Sequence, residues 1–340
     1  MRKAKSFAAA LGVVCMGATG AAAQSAADYY AGKTIQLRVG YAPGGGYDLA
    51  GRTASRYWGK FIPGNPQIVV QNMPGGASLV LTKWLLDAAP KDGSVIGLVS
   101  RGIAFEPLLK APQSDYDAMA LNWIGNVERA SSFCAAWADA GIKSLDDIVG
   151  PNAKTLIIGG TGPTSDDELF ARVVREMFSA NVKIVTGYAG STPVHLAMER
   201  GEVHGRCNLS AADLLRRPHW KDKVNVFLTN GMRHHPAFKD VPLALDVAKT
   251  DEQKAVLRLF YARQEMAYPF VAPPGVPADR VKALRDSFMK MAEDKEFRSE
   301  AEKQFIEVSP VSGEEITKII KDAYASDPKV IERASKLRNQ

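Results

Sequence analysis

The residues best suited to chemistry lie in one glycine-rich stretch, YAPGGGYDLAGR, which runs from Tyr41 to Arg52. The segment before it, Thr34 to Val39, alternates like a strand, and the residues after it have the pattern of a helix. Gly44, Gly45 and Gly46 can adopt positive φ and direct backbone N–H groups at one point. With the positive end of a helix dipole beside them, they could bind a carboxylate or phosphate. A tight turn without a ligand would have the same glycines.

Two more predicted strands in the first half of the chain end in loops of interest. Gln67 to Gln71 leads into a second glycine turn, Asn72 to Ser78, and Val95 to Ser100 leads into Arg101. Strands that alternate with helices predict a parallel sheet with right-handed crossovers. Because ligands bind beyond the carboxyl ends of such strands, we expect the three loops to share one cleft.

A second unit of the same kind is predicted in the middle of the chain. Its strand Thr155 to Ile158 enters a loop in which Ser165 and Glu168 have the spacing of a capping box. Further on, Thr192 followed by proline predicts the start of another helix. We interpret Val224 to Leu228 as a strand that leads back to the first unit.

The N-terminus has the features of a secretory signal peptide. Arg2, Lys3 and Lys5 precede an apolar run from Phe7 to Met16, and an A-x-A site ends at Ala23. The run is too short to span a membrane, and no later stretch is long and apolar enough. Cleavage would leave 317 of the 340 residues, which predicts two domains. We therefore expect a soluble protein of the periplasm.

Charge and cysteine content narrow the functional classes. Without the three basic residues of the signal peptide the net charge falls from +6 to +3, which is too small to indicate nucleic-acid binding. Two cysteines remain, Cys134 and Cys207. An oxidising compartment would allow a disulfide, but two buried thiols agree equally well with the sequence, since it does not show the distance between them.

Seven short motifs follow one another along the mature chain. They are Tyr41-x-x-Gly44-Gly45-x-x-Asp48, Asn72-x-Pro74-Gly75, Ala89-Pro90-x-Asp92-Gly93, Gly162 to Ser165, the Tyr188 loop, Ala197-Met198-x-x-Gly201-x-Val203, and Ala272-Pro273-Pro274-Gly275-Val276-Pro277. In this order, behind a signal peptide, they resemble the substrate-binding receptors of tripartite tricarboxylate transporters, the Bug family of periplasmic binding proteins. The resemblance extends over essentially the whole mature chain.

The resemblance implies an α/β, type II periplasmic-binding-protein fold, with two lobes joined by two crossing strands and the ligand cleft between them. We place the signal peptide at residues 1–23, the first lobe at 24–126 and 224–340, and the second lobe at 127–223. The resemblance also implies a receptor, with no catalytic residue, cofactor or metal. It would capture a small mono- or dicarboxylate as a monomer and deliver it to the membrane subunits of a tripartite tricarboxylate transporter.

The family also implies that amides of the first two glycine loops hold one ligand carboxylate. Residues carried over from the motifs are Tyr41, Gly44, Gly45, Asp48, Pro74, Gly75, Gly76 and Ala77 in the first lobe, and Thr161, Gly162, Ser165 and Tyr188 in the second. The chain departs from the family at Ala77-Ser78, where two glycines are usual. It also has Arg101, whose guanidinium could bind the distal ligand carboxylate or pair with an acid between the lobes.

An acidic side chain inside an anion site needs its own explanation. A carboxylate there would repel the ligand unless loop groups bind it. We therefore expect Asp48 to cap the helix that begins near it and to organise the loop, without a charge contact to the ligand.

The main alternative is an exported hydrolase that acts on a small carboxylate ester or amide. The chain has no G-x-S-x-G elbow, and its five histidines lack the spacing of a metal site. A nucleotide-binding enzyme is a third possibility, but the glycines at positions 44–46 match neither G-x-G-x-x-G nor a P-loop. Both alternatives therefore lack the motif that their chemistry requires.

Overall fold

A computed structural model describes residues 25–162, 165–188 and 190–339; the predicted signal peptide lies outside these residues. Two sheets and a set of surrounding helices are formed in the described residues. The strands are β1 (Thr34–Val39), β2 (Gln67–Asn72), β3 (Val95–Leu98), β4 (Asn122–Asn126), β5 (Ser132–Trp137), β6 (Leu156–Gly159), β7 (Val182–Val185), β8 (Gly205–Ser210), β9 (Val224–Asn230), β10 (Pro269–Ala272) and β11 (Val311–Ser312). The helices are α1 (Ala26–Tyr30), α2 (Gly46–Trp58), α3 (Leu79–Asp87), α4 (Asp166–Phe178), α5 (Ser191–Glu199), α6 (Ala211–Leu215), α7 (Ala244–Val247), α8 (Asp251–Tyr261), α9 (Ala278–Glu293), α10 (Lys295–Lys303), α11 (Gly313–Tyr324) and α12 (Pro328–Arg338).

The first sheet has the strand order β11-β4-β10-β3-β1-β2. Strands β2 and β3 are both parallel to β1, as the alternation of strands and helices predicts. Strand β10 is antiparallel to β3 and β4. Since parallel strands end at the same edge, the loops after β1, β2 and β3 leave the sheet side by side.

The second sheet has the strand order β7-β6-β8-β5-β9. The prediction that Val224 to Leu228 leads back to the first unit is wrong, because β9 extends to Asn230 and pairs with β5 in the second sheet. A buried strand has the same apolar pattern in either sheet, so the sequence around β9 does not indicate its partner.

The chain passes between the sheets at residues 127–131 and again at residues 231–268. Backbone hydrogen bonds join the two crossings: the Ala130 N–H donates to the Gln264 carbonyl at 2.8 Å, and the Ala267 N–H donates to the Glu128 carbonyl at 3.0 Å. Two α/β lobes joined by two crossings confirm the predicted fold. The last helix makes a further connection, because α11 packs on β4 of the first sheet while α12 packs on α4 and α8.

Two helices of the second lobe begin differently from the prediction. Ser165 is the N-cap of α4, as expected, but its side chain makes no capping hydrogen bond, so the capping box with Glu168 is absent. Helix α5 begins at Ser191 with Gly190 as its N-cap, and Thr192 is already inside the helix. Sequence patterns thus located both helices but not their first hydrogen bonds.

The largest cluster of apolar side chains belongs to both lobes. It contains Phe105 from the region after β3, Phe170 of α4 and Tyr261 of α8, and the last two rings have centroids 5.4 Å apart. A separate cluster in the first lobe surrounds Trp58, whose indole N–H donates to Ser287 Oγ at 2.9 Å. No helix in the described ranges is long and apolar enough to cross a membrane.

A disulfide bond joins neighbouring strands of the second sheet. Cys134 on β5 and Cys207 on β8 have their sulfurs 2.02 Å apart, and both residues are fully buried. Of the two possibilities that the sequence left open, the structure has the disulfide. The two cysteines are 73 residues apart, so the bond closes a long loop that contains β6, α4, β7 and α5.

Removing this disulfide should destabilise the protein. Since the bond restricts the unfolded chain, we expect the substitutions Cys134→Ala and Cys207→Ala together to lower the free energy of unfolding by about 2–4 kcal/mol. Chemical denaturation measures the change, and reduction of the unaltered protein should reproduce it. Ellman titration of denatured, unreduced residues 24–340, which exclude Cys15, should find no free thiol; two free thiols would contradict the bond.

Candidate functional site

The first glycine loop ends at the start of α2, in the cleft between the lobes. The helix begins at Gly46, two residues before the predicted start, and Gly45 is its N-cap. No side chain caps α2, so the N–H groups of its first turn keep their capacity to bind an anion. A β-carbon on Gly46 would lie 2.9 Å from the hydroxyl of Tyr268, which places that hydroxyl beside the start of the helix.

Three tyrosines line the cleft at this point. The rings of Tyr41 and Tyr47 are stacked with centroids 4.3 Å apart, and Tyr47 meets Tyr268 edge to face at 5.1 Å. Burial raises the pKa of all three phenols above the ordinary value. Each ring nevertheless keeps part of its surface exposed, as expected in a deep cleft. They are therefore neutral hydroxyl groups at physiological pH.

Asp48 fixes the shape of the first loop. It is the third residue of α2 and not its cap. Its carboxylate accepts hydrogen bonds from Gly44 N–H at 2.9 Å, from Arg52 Nε at 2.9 Å and from Asn72 Nδ2 at 2.8 Å. Burial would raise the pKa of Asp48, but these hydrogen bonds outweigh burial and lower it. Asp48 is therefore ionised, and its own loop satisfies its charge.

The second loop is tied to the first through its strand. Asn72, the last residue of β2, donates to the carbonyl of Tyr41 at 2.8 Å as well as to Asp48. Pro74 follows on the surface, where it is exposed. The Asn72 side chain thus fixes the positions of the two glycine loops relative to each other at the edge of the first sheet.

Four consecutive residues of the second loop have positive φ. Gly75 and Gly76 have φ of 142° and 53°, and they are followed by Ala77 at 49° and Ser78 at 78°. The residues that replace the usual glycines therefore keep a conformation that favours glycine, at a cost of order 1 kcal/mol each. Ser78 is fully buried, and its hydroxyl lies where a β-carbon on Gly40 would be only 2.1 Å away.

Arg101 extends from the end of the first sheet to the second lobe. Its Nε lies 2.5 Å from Asp166 Oδ2, and its Nη2 donates to Asn208 Oδ1 at 3.0 Å. Burial would lower the pKa of Arg101, but the Asp166 carboxylate outweighs burial and raises it. The structure thus shows Arg101 in an ion pair between the lobes, and its ligand role stays a prediction.

This ion pair is one end of a buried row of charges. Asp166 also accepts from Arg263 Nη1 at 3.0 Å, Arg263 lies 3.4 Å from Glu106 Oε1, and Glu106 Oε2 accepts from Arg338 Nη2 at 2.7 Å. The exposed fraction of Arg263 is 0% and that of Arg338 is 2%. Charges of alternating sign thus connect the cleft with the C-terminal helix α12.

The second-lobe residues meet at the start of α4, but their amides are already bound. The Thr161 N–H donates to Asp167 Oδ1 at 3.3 Å, and the Gly162 N–H donates to Glu168 Oε1 at 2.9 Å. The Ser165 hydroxyl contacts the Gly162 carbonyl and the Asp167 carboxylate. Two acids of α4 thus satisfy this loop internally.

The bonds of Glu168 explain the missing capping box. Its Oε1 accepts from the Thr186 hydroxyl at 2.5 Å as well as from Gly162, and Oε2 accepts from Arg172 at 2.9 Å. A carboxylate held in this way cannot reach back to the N-cap. Tyr188 is half-buried and packs against the apolar cluster beside β6, where a β-carbon on Gly159 would lie 3.4 Å from its ring.

Sequence reasoning missed three residues of the cleft: Tyr47, Asp166 and Tyr268. Tyr47 occupies a variable position inside the first motif, and Asp166 directly follows a residue that was selected. Either could have been found from its place in the first turn of a helix that faces the cleft. Tyr268 lies in the second crossing, whose sequence carries no motif, and only the fold brings it to α2.

The described part of the chain has no group of three or more His, Cys, Asp or Glu side chains that could hold a metal ion. Three acids near the cleft, Asp48, Asp166 and Glu168, are instead paired with arginine.

Comparison with known sequences gives one family. Residues 63–335 match the model of the TctC family, described as the tripartite tricarboxylate transporter family receptor. A curated relative, the UPF0065 protein in the gbd 5′ region of Cupriavidus necator, is 23% identical over 96% of this chain and 93% of its own length.

Solved structures with the same fold are also similar over nearly the whole chain. The periplasmic binding protein BugD has a TM-score of 0.71 at 18% identity, covering 91% of this chain and 99% of its own. An adipate-bound protein of R. palustris has a TM-score of 0.70 at 17% identity, with 89% and 97% covered. MatC of Rhodopseudomonas palustris with bound malate has a TM-score of 0.67 at 16% identity, with 88% and 99% covered.

Replacing Asp48 with Asn should destabilise the protein. The substitution Asp48→Asn removes a buried charge that accepts hydrogen bonds from two loops, and we expect the free energy of unfolding to fall by about 1–3 kcal/mol at pH 7. Asp87 is exposed and offers a matched control, since Asp87→Asn should change the free energy of unfolding by less than about 0.5 kcal/mol.

The deficit of the Asp48→Asn variant should depend on pH. Because the pKa of Asp48 is lowered in the folded state, its stabilising effect is full above the ordinary carboxyl pKa of about 4 and is lost as pH falls through the lowered value. Denaturation curves at pH 7, 4 and 2.5 should converge for the variant and the unaltered protein. If the Asp48→Asn variant were as stable at pH 7 as the Asp87→Asn control, the structural role of Asp48 would be refuted.

A double-mutant cycle distinguishes an interlobe ion pair from a ligand contact at Arg101. If the pair stabilises the closed lobes, Arg101→Gln and Asp166→Asn should each weaken ligand binding about 5–50-fold, and the double variant should be no weaker than either. Isothermal titration with a carboxylate that the unaltered protein binds measures the affinity of each variant. If Arg101 instead binds ligand, Asp166→Asn would free it, and the affinity would stay the same or rise.

Proposed function

The chain belongs to the tripartite tricarboxylate transporter family of receptors, and on this basis we propose that it captures a small organic carboxylate between its two lobes. Members of the family are substrate-binding receptors and not enzymes. The exported-hydrolase alternative is therefore set aside. What remains to be argued is which part of the cleft holds the ligand.

The observation that carries this proposal is the uncapped first turn of α2. Its N–H groups and helix dipole favour a negative charge, and no acidic side chain occupies the position of the cap. Asp48, the acid in the first turn of α2, is directed into its own loop. A ligand carboxylate beside Gly45 and Gly46 would also meet the Tyr268 hydroxyl, which makes no hydrogen bond to any described residue and could donate to it.

The remaining site residues surround this position. Tyr41 and the second loop, from Pro74 to Ala77, would form the wall on the first lobe. Since the amides of Thr161 and Gly162 are already bound, the second lobe would contribute closure and the rim, with Ser165 and Tyr188, and not a second set of free amides. Arg101 would act by holding the lobes together.

Two structural neighbours support a carboxylate ligand. One was solved with malate and another with adipate, and both molecules are dicarboxylates. They share the fold at under 25% identity, so their ligands indicate a chemical class and not a specific solute. A small acid that places one carboxylate at α2 is the ligand that agrees with both the fold and this cleft.

We further propose that the receptor acts in the periplasm as a monomer and delivers its solute to the membrane subunits of a tripartite tricarboxylate transporter. Family membership and the predicted signal peptide, at residues 1–23, support this proposal. With the signal removed, closure over the ligand would produce the form that the membrane subunits bind.

A thermal-shift screen tests the proposal. Mono- and dicarboxylates, aromatic acids and acidic amino acids should include at least one that raises the Tm, since a ligand that binds only the folded state stabilises it by mass action. Neutral amides of the same acids are the control and should have no effect. If no acid raises the Tm, or if acids and amides do so equally, the proposed function is wrong.

Tyr268→Phe locates the site once a ligand is found. It removes only the hydroxyl beside Gly46, and we expect isothermal titration to show an affinity about 5–10-fold weaker. Tyr30→Phe is the matched control, because the Tyr30 hydroxyl donates to the Gly93 carbonyl at 3.1 Å outside the cleft. Equal affinity of the Tyr268→Phe variant and the control would place the carboxylate elsewhere.

A further inference from the structure

Both crossings leave the second lobe from the same pair of residues. Ser132, the first residue of β5, follows the first crossing, and Asn230, the last residue of β9, precedes the second. The two residues are direct partners in the antiparallel ladder between β5 and β9. A shift of this pair therefore moves the start of both crossings, and with them the first lobe.

The Asn230 side chain is fully buried and joins three elements. Its Nδ2 donates to the Cys207 carbonyl of β8 at 3.1 Å and to Cys134 Sγ of the disulfide at 3.4 Å. Its Oδ1 accepts from the hydroxyl of Tyr261, the last residue of α8, at 2.9 Å. Since α8 lies within the second crossing, one amide connects the disulfide to the segment that joins the lobes.

Gln264 of the second crossing is attached to the same pair of residues. Its Nε2 donates to Ser132 Oγ at 2.7 Å and to the Asn230 carbonyl at 3.2 Å. Its own carbonyl accepts from the Ala130 N–H of the first crossing. We call this buried, hydrogen-bonded group the junction; its members are Ser132, Asn230, Tyr261 and Gln264.

The disulfide lies where the strands of the second sheet pair irregularly. The register of β5 shifts between Phe133 and Ala135 against β8, and between Cys134 and Ala135 against β9. A shift of this kind leaves backbone groups unpaired and weakens the ladder locally. The covalent bond to Cys207 holds β5 against β8 at this place. It thereby fixes the two groups to which the Asn230 amide donates.

We infer that the disulfide sets the stiffness of the hinge between the lobes. With the bond present, both acceptors of the Asn230 amide stay in reach, and Tyr261 holds the second crossing to the second sheet. Without the bond, the irregular part of β5 separates from β8, and the junction loses the acceptors on which it is built. The chain then folds into the same two lobes with a looser connection between them.

The state of the hinge is fixed when the chain folds. Both cysteines are fully buried, so a thiol reductant does not reach the bond in the folded protein. Reduction therefore requires unfolding. It breaks the Sγ–Sγ bond and leaves two thiols, while a dithiol such as dithiothreitol gives up two electrons and two protons and becomes a cyclic disulfide. A chain that folds in an oxidising compartment has the stiff hinge, and one that folds among reducing thiols has the loose one.

Hydrogen exchange measures the hinge without a ligand, so its outcome does not depend on the proposed function. The Ala130 and Ala267 N–H groups, each bonded to the other crossing, report on the hinge. The Met73 N–H, which donates to the Val39 carbonyl at 2.7 Å, is the reference in the first lobe. Complete unfolding exposes all three amides, whereas a loose hinge exposes only the two in the crossings.

Removing the disulfide tests the inference directly. In the variant with Cys134→Ala and Cys207→Ala together, we expect the exchange rates of the two crossing amides, divided by that of Met73, to rise about 10-fold or more. Lower global stability speeds exchange at all three amides, so it does not raise this ratio. The unaltered protein, unfolded and refolded in dithiothreitol, should have the same ratio as the variant.

Tyr261→Phe tests the path from the disulfide to the second crossing. It removes only the hydroxyl that donates to Asn230 and keeps the disulfide, and we expect the same ratio to rise about 3–10-fold. Tyr30→Phe is the matched control, because the buried Tyr30 hydroxyl donates to the Gly93 carbonyl within the first lobe. This control should change the ratio by less than about twofold.

Three results would overturn the inference. The first is an unchanged ratio in the variant without both cysteines. The second is a failure of that variant to fold, since the inference requires both lobes to form without the bond. The third is a Tyr261→Phe variant whose crossing amides exchange like those of Tyr30→Phe.

Discussion

Five charged side chains are buried in a row between the lobes, and the cleft depends on each having a partner of opposite sign. They are Arg101, Asp166, Arg263, Glu106 and Arg338. Removing one member of such a row leaves a buried charge uncompensated, which costs about 3–5 kcal/mol. The row therefore fixes where the loop after β3, the start of α4, the second crossing and α12 lie relative to one another. The row also keeps the Arg101 side chain buried, away from solvent in the cleft.

Acidic side chains play the same structural part in both lobes. Asp48 accepts a loop amide in the first lobe, and Asp167 and Glu168 accept loop amides in the second. Each acid is then balanced by an arginine. The helix starts of the two lobes differ in charge: the first turn of α4 contains Asp166, Asp167 and Glu168, whereas the first turn of α2 contains only Asp48, whose charge its own loop satisfies. This asymmetry supports the proposal that the ligand carboxylate binds in the first lobe.

Local patterns predicted most of the fold. Strand, glycine turn and helix recur because each signal lies within a few residues, and the loops after β1, β2 and β3 could be placed at one edge. Contacts distant in sequence could not be predicted in this way. Arg101 pairs with Asp166, which is 65 positions away in the sequence, and β9 pairs with β5 in the second sheet instead of leading back to the first unit. The Glu168 carboxylate binds the Thr186 hydroxyl and does not form the predicted capping box. The ligand roles of the loop residues stay predictions.

The position of α12 has a mechanical consequence. Two crossings alone would define an axis about which the lobes could swing freely. The chain also returns from α11 on the first sheet to lay α12 across α4 and α8, and the apolar cluster there is continuous between the lobes. A third attachment away from the axis restricts this swing, because opening must also move α12 over α4 and α8. We therefore expect side-chain packing at α12 to limit how far the lobes open.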